Sequence, residues 1–91
     1  MKIEYDSIKN TRNIEKHGVS FDAVVDFRFD TAIKQVDERK DYGEVRINAL
    51  GYLDDRLYML TFIEIDGGIR AISFRKANSR EQAGYANAQF V

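Results

Sequence analysis

Near the C-terminus the sequence "IRAISFRKANSREQAGY" gathers Arg70, Arg75, Lys76 and Arg80 with Ser73, Glu81 and Tyr85. Arg46 and Glu64 lie in two other segments that read as strands. Guanidinium forks stay charged at all working pH and match phosphate oxygens two at a time. A group of arginines with one carboxylate on an open sheet face therefore suits a phosphodiester. The alternative for the same residue types is a cross-strand ion-pair ladder, Arg46 or Arg70 with Glu64, on a solvated face. His17 is the only histidine and has the range for proton transfer near neutrality. It also sits at a predicted helix C-terminus, where a cation meets the negative end of the helix dipole. One histidine, no cysteine and scattered carboxylates fit no metal-ligand spacing, so neither metal nor other cofactor is expected.

Charge is unevenly spread. Residues 1–66 carry ten Lys/Arg against fourteen Asp/Glu, whereas residues 67–91 carry four against Glu81 alone. The asymmetry suggests a localised anion-binding face on a chain of net charge −1. With 91 residues, 44% of them hydrophobic and 32% charged, the chain is expected to form one domain, 1–91. It has no apolar run of membrane-spanning length and no signal-peptide core, consistent with the cytosol.

These residues need elements to position them. Residues 3–5 suggest a short strand, followed by Asp6 or Ser7 as N-cap of a helix over Ser7–His17 whose interior apolar residues are Ile8 and Ile14. Gly18 suits the left-handed residue after that helix. Ser20 caps a second helix with Phe21, Val24, Val25 and Phe27 on its apolar face. The period then shortens to two. Residues 32–36, 45–53 and 56–65 read as strands, and "DERKDYGE" at 37–44 as a charged loop. "DGG" at 66–68 signals a hairpin into the last strand. Alternation there places Ile72 and Phe74 toward the helices, with Ser73 and Arg75 outward. Ser79 with Gln82 has the form of a capping box for a final helix. The order β-α-α-β-β-β-β-α implies a two-layer α+β fold, with a mainly antiparallel sheet, helices on one face and the other face partly open.

The segments "YDSIKNTRNIEKHGVSFDAVVDF" (5–27), "EVRINALGYLDDRLYMLTF" (44–62) and "RAISFRKANSREQAGY" (70–85) together resemble the BrnT family of toxins. The resemblance covers nearly the whole chain. It implies a RelE-like fold and the toxin of a type II toxin–antitoxin pair, a metal-independent RNA endonuclease. It implies a BrnA-type antitoxin as partner, with operator DNA reached only through that antitoxin. On this reading Arg46, Arg70 and Arg75 would stabilise charge at phosphorus, His17 or Glu64 would serve as base, and Tyr85 would aid positioning or proton transfer. Lys16, Ser73, Lys76, Arg80 and Glu81 would contact RNA. One departure is the final helix, "SREQAGYANAQF", which holds Gly84 and few cations. Phosphate contacts supply much of RNA affinity, so a non-catalytic, antitoxin-binding module acting in autoregulation is the competing expectation.

Overall fold

The computed structural model describes residues 1–89. Five strands form one sheet in the order β1-β5-β4-β3-β2. They are β1 (Lys2–Glu4), β2 (Ile33–Val36), β3 (Ile47–Leu53), β4 (Arg56–Ile65) and β5 (Gly68–Lys76). β2 through β5 are antiparallel neighbours, and β1 adds in parallel against residues 68–70 of β5. The helices are α1 (Ser7–His17) and α2 (Ser79–Ala86), and two 3₁₀ segments (Phe21–Asp26 and Phe29–Thr31) lie between α1 and β2. The expected α+β order with a mainly antiparallel sheet is therefore present.

Local chemistry explains the ends. The Asp6 carboxylate accepts from the backbone N–H groups of Ile8 (2.8 Å) and Lys9 (3.2 Å), and α1 stops at Gly18 with φ of +73°. The segment after Ser20 is a 3₁₀ helix instead of an α-helix. With three residues per turn, Phe21, Val24 and Phe27 eclipse one another and are all buried, while Val25 turns out to solvent, 71% exposed.

α1 does not bury the residues expected of it. Ile8 and Ile14 are exposed, and the buried side chain is Asn13. β1 pairs only with residues 68–70, so the backbone of β5 further along lacks a neighbouring strand on that side. Asn13 fills the gap at Phe74. Its Nδ2 donates to Phe74 O (2.8 Å) and Val19 O (2.9 Å), and its Oδ1 accepts from Phe74 N (3.1 Å). A side-chain amide presents the same donor and acceptor as a strand, and it caps a sheet edge that would otherwise carry unpaired groups.

The main core lies between the sheet and the α1/3₁₀ layer, and includes Phe21, Val24, Phe27, Ala49, Leu60, Phe62, Ala71 and Phe74. α2 does not join that layer as expected. Its Tyr85 packs on Leu50, Leu57, Met59 and Ala77, which point to the opposite face. The reason is parity: Leu50 and Met59 are opposed across β3 and β4, one residue out of step with the Ala49–Leu60 pair. The continuously apolar stretch of β4 thus feeds two cores, and α2 roofs only one end of the second face.

Gly51 lets β3 approach the residues that flank the second 3₁₀ segment. A Cβ there would stand 2.7 Å from Phe27 Cζ, 3.0 Å from Ala32 Cβ and 3.1 Å from Arg28 O. Gly51→Ala is therefore expected to cost about 2 kcal/mol by overpacking, measured as a lower urea midpoint with an unchanged slope.

Candidate functional site

The part of the second face that α2 leaves uncovered is an open cleft of about 760 Å³ between the N-terminus of α2 and the loop 37–46. Its position depends on an irregularity in β5. The β4–β5 register shifts between Thr61 and Phe62, where Thr61 opposes Ser73 and Phe62 opposes Ala71. Ile72 is the extra residue, a β-bulge of the kind that re-aims side chains near functional sites. Ala71 and Phe74 consequently both face the main core, and Ile72 lines the cleft beside Ser73. Simple alternation had assigned Ile72 to the helix side.

Arg75 sits at the cleft wall and is held by Glu81. Its Nη1 donates to Oε1 at 2.8 Å and its Nη2 to Oε2 at 2.9 Å. The same carboxylate accepts from Asn78 N (2.9 Å), while Asn78 Oδ1 accepts from Glu81 N (2.8 Å). The capping box of α2 is therefore Asn78–Glu81, one residue earlier than the Ser79–Gln82 pair that its sequence suggests. The Arg75 guanidinium, then the Asn78 N–H, hold the Glu81 carboxyl below its ordinary range against the cost of burial, and Glu81 in turn raises Arg75. Nη1 also reaches Lys76 O at 3.3 Å. Five N–H donors on a guanidinium leave Arg75 its Nε–H and one Nη2 hydrogen for a further acceptor.

The opposite wall is the charged loop, which is ordered by its own side chains. Asp37, buried, accepts from Arg39 Nε (2.9 Å) and Nη2 (2.8 Å) and from the Tyr42 hydroxyl (3.2 Å). Arg39 depresses the Asp37 carboxyl far below the usual range. The Arg46 guanidinium stacks 4.0 Å from the Tyr42 ring centroid, and its Nε donates to Glu44 at 3.0 Å. Arg80 lines the cleft from the first turn of α2 and makes no side-chain hydrogen bond among the described residues. The floor is polar, with Asn48, Thr61 and Ser73 in register across three strands.

Arg46, Ser73, Arg75, Arg80 and Glu81 thus come together, and the other sequence candidates lie elsewhere. Arg70 shares the face of Arg75 but opposes Ile63 where Arg75 opposes Met59, four residues along the strand and roughly 13 Å away. There it donates through Nε (2.9 Å) and Nη2 (2.7 Å) to Glu4 Oε1. Glu64 opposes Ile69 and lines a groove on the other side of the sheet with Phe29 and Phe62. Lys76 also faces away, because it opposes Tyr58 of the main core. Tyr85 is a packing residue whose hydroxyl donates to Thr31 O (2.9 Å) and whose ring meets Tyr52 edge-on. His17 and Lys16 close α1 outside the cleft lining. Burial first, then the charges of Lys16 and Arg75, press the His17 imidazole below its usual range and favour its neutral form. Arg39, Tyr42, Asn48 and Thr61 were not singled out from sequence. Parity with Arg46 is the signal that would have found Asn48, and Asp37-x-Arg39 is the loop's visible ion-pair spacing. Among the described residues no group of three or more His, Asp or Glu is placed to hold a metal ion.

The profile described as "Ribonuclease toxin, BrnT, of type II toxin-antitoxin system" matches residues 5–81. The chain belongs to this BrnT family. The crystal structure of the Brucella abortus ribonuclease toxin BrnT is similar, with a TM-score of 0.63 and 28% sequence identity over 87% of this chain and 99% of that one. No curated protein matches the chain. Membership in a type II toxin–antitoxin family implies an antitoxin protein as partner of this BrnT-family chain. No helix among the described residues is long and apolar enough to cross a membrane.

Proposed function

We propose that this chain is a toxin that cleaves RNA at the arginine-lined cleft and is neutralised by a BrnA-type antitoxin. The observation that carries the reading is the convergence of Arg39, Arg46, Arg75 and Arg80 on a polar sheet floor, in a chain of a ribonuclease toxin family. In the proposed step a ribose 2′-oxygen attacks the adjacent phosphorus. The new P–O2′ bond forms as the P–O5′ bond breaks; the 2′-hydroxyl proton passes to water and the departing O5′ takes a proton from water, leaving a 2′,3′-cyclic phosphate and a 5′-hydroxyl. Negative charge grows on the non-bridging oxygens, and fixed guanidinium donors stabilise that state without having to reorganise. Arg75, oriented by Glu81, and Arg46, oriented by Tyr42, are the donors assigned to it, with Arg80 steering the incoming phosphate.

Of the three carboxylates that line the cleft, Asp37 and Glu81 are held as anions by guanidinium forks, which makes them weak bases, and Glu38 is exposed to solvent with no side chain among the described residues to hold it in place. Neutral His17 at the end of α1 is the better proton acceptor but stands outside the cleft lining. The reaction therefore rests chiefly on charge stabilisation.

A second reading has its own observation. Arg39, Arg46 and Arg75 are each paired with a carboxylate, at 2.8 Å, 3.0 Å and 2.8 Å, which mutes the cleft's positive field. This favours an antitoxin-binding module that acts on operator DNA only through its partner. Expression alone from an inducible promoter separates the two. The toxin reading expects growth arrest, relief by the antitoxin, and RNA cleavage by purified protein that persists in EDTA. Harmless expression with antitoxin copurification and no cleavage would select the module.

A further inference from the structure

The cleft floor carries a feature that phosphate binding does not call on. Asn48, Thr61 and Ser73 oppose one another across β3, β4 and β5, forming a row of uncharged hydrogen-bonding side chains on three adjacent strands. All three are half-buried in the cleft. The Thr61 hydroxyl donates to Asn48 Oδ1 at 2.6 Å. That bond fixes the polarity of the row. The Thr61 proton is committed, so Thr61 Oγ1 faces the cleft as an acceptor. Asn48 Nδ2 and Ser73 Oγ make no hydrogen bond among the described residues, so each has a donor to give.

Resting on the RNA reading above, we propose that this row reads a nucleobase, and that its donor–acceptor order selects a carbonyl beside an N–H, the edge that uracil and guanine share, over cytosine and adenine. The Watson–Crick edge of uracil runs carbonyl, N–H, carbonyl. Asn48 Nδ2 donates to O4, the N3–H donates to Thr61 Oγ1, and the Ser73 hydroxyl donates to O2; on guanine the same pair meets O6 and N1–H, and the Ser73 hydroxyl accepts from the N2 amine. Cytosine meets this row with an amine opposite a donor and a bare nitrogen opposite an acceptor. Adenine presents an amine first and has no third polar group on that edge. The walls suit a planar base: Met59 and Ile72 flank the floor, and Tyr42 and the Arg46 guanidinium stacked on it line the cleft.

The test uses the full chain and 2′-O-methyl oligoribonucleotides, which lack the nucleophile and bind without being cut. Affinities for ten-residue oligo-U, oligo-C and oligo-A are compared at one salt concentration, for wild type, Thr61→Val, Asn48→Asp and Ser73→Ala. Wild type is expected to prefer oligo-U by about tenfold, on the scale of one well-placed base contact. Thr61→Val and Asn48→Asp are expected to bring the ratio near one, and Ser73→Ala to reduce it part-way, in proteins whose circular dichroism is unchanged. Equal wild-type binding of all three oligomers overturns this inference and leaves the RNA reading standing, as does a uracil preference that survives all three substitutions. Binding of none of them by folded wild type overturns both.

Discussion

Arg75→Ala is expected to lower RNA cleavage by about 10²- to 10³-fold, the usual loss when one fixed donor to a developing oxyanion is removed. It is also expected to cost roughly 1–3 kcal/mol of stability, because a buried acceptor loses its principal donors. The second effect follows from Glu81, whose side chain is only 10% exposed. Without Arg75 that carboxylate keeps the Asn78 N–H and little else. A loss of toxicity could then reflect a poorly folded protein. Two companions separate the causes. Arg75→Lys keeps the charge beside Glu81 but loses the planar fork, so it should fold well and still cleave poorly. Arg75→Ala combined with Glu81→Gln removes the stranded charge, so it should recover stability without recovering cleavage. Urea denaturation and initial rates on a defined RNA measure both quantities. A well-folded Arg75→Lys protein with wild-type rates would remove Arg75 from the mechanism.

The same arginine illustrates what the sequence makes legible. Alternation on the last strand puts Ser73 and Arg75 on the open face, and cap signals near residue 79 start the final helix close to them, although the box itself is Asn78–Glu81, one residue before the Ser79–Gln82 pair. Both readings rest on local rules, because strand parity and N-caps are properties of a few consecutive residues. Alternation could not place Ile72, since a bulge arises from the pairing of two strands and leaves no mark in the period of one. Arg70 and Glu64 have suitable types but stand away from the cleft, one at the far end of β5 and one on the other face. Their separation from it depends on register, which a single sequence does not state. The segment 37–44 reads in the sequence as a charged loop and no more. Its Asp37 is buried and held by Arg39 and Tyr42, a tertiary fact with only a faint sequence spacing behind it.

α1 is the clearest case of pattern misleading. Hydrophobic periodicity selects Ile8 and Ile14 as the inner face, yet the inward side is Asn10, Asn13 and His17, at i, i+3 and i+7. Asn10 Oδ1 accepts from Phe21 N (2.8 Å), which ties α1 to the first 3₁₀ segment. Asn13 ties it to β5. The helix is docked by side-chain amides that satisfy backbone groups, a device with the right spacing and the wrong polarity for the usual rule.

Asn13→Ala is accordingly expected to be among the most destabilising substitutions in the chain. It strands Phe74 N–H, Phe74 C=O and Val19 C=O together, and Phe74 is fully buried. At about 1 kcal/mol for each unsatisfied group, the low end of the usual range, the loss is about 3 kcal/mol. A domain of this size has roughly 5–15 kcal/mol to lose, so Tm should fall by roughly 15 °C. Asn13→Asp should be at least as damaging. It can still accept from Phe74 N–H, but it sets a carboxylate against two carbonyl oxygens and would be driven toward its protonated form. That gives the pair a distinguishing signature. The folded-state pKa of the introduced carboxyl would be raised, so its penalty should be greatest at neutral pH and shrink as pH falls through that pKa, whereas the Asn13→Ala penalty should change little. Thermal melts of the two variants at pH 7 and pH 5 measure the difference. A melting point for Asn13→Ala within a few degrees of wild type would mean that water replaces the amide at the edge of β5.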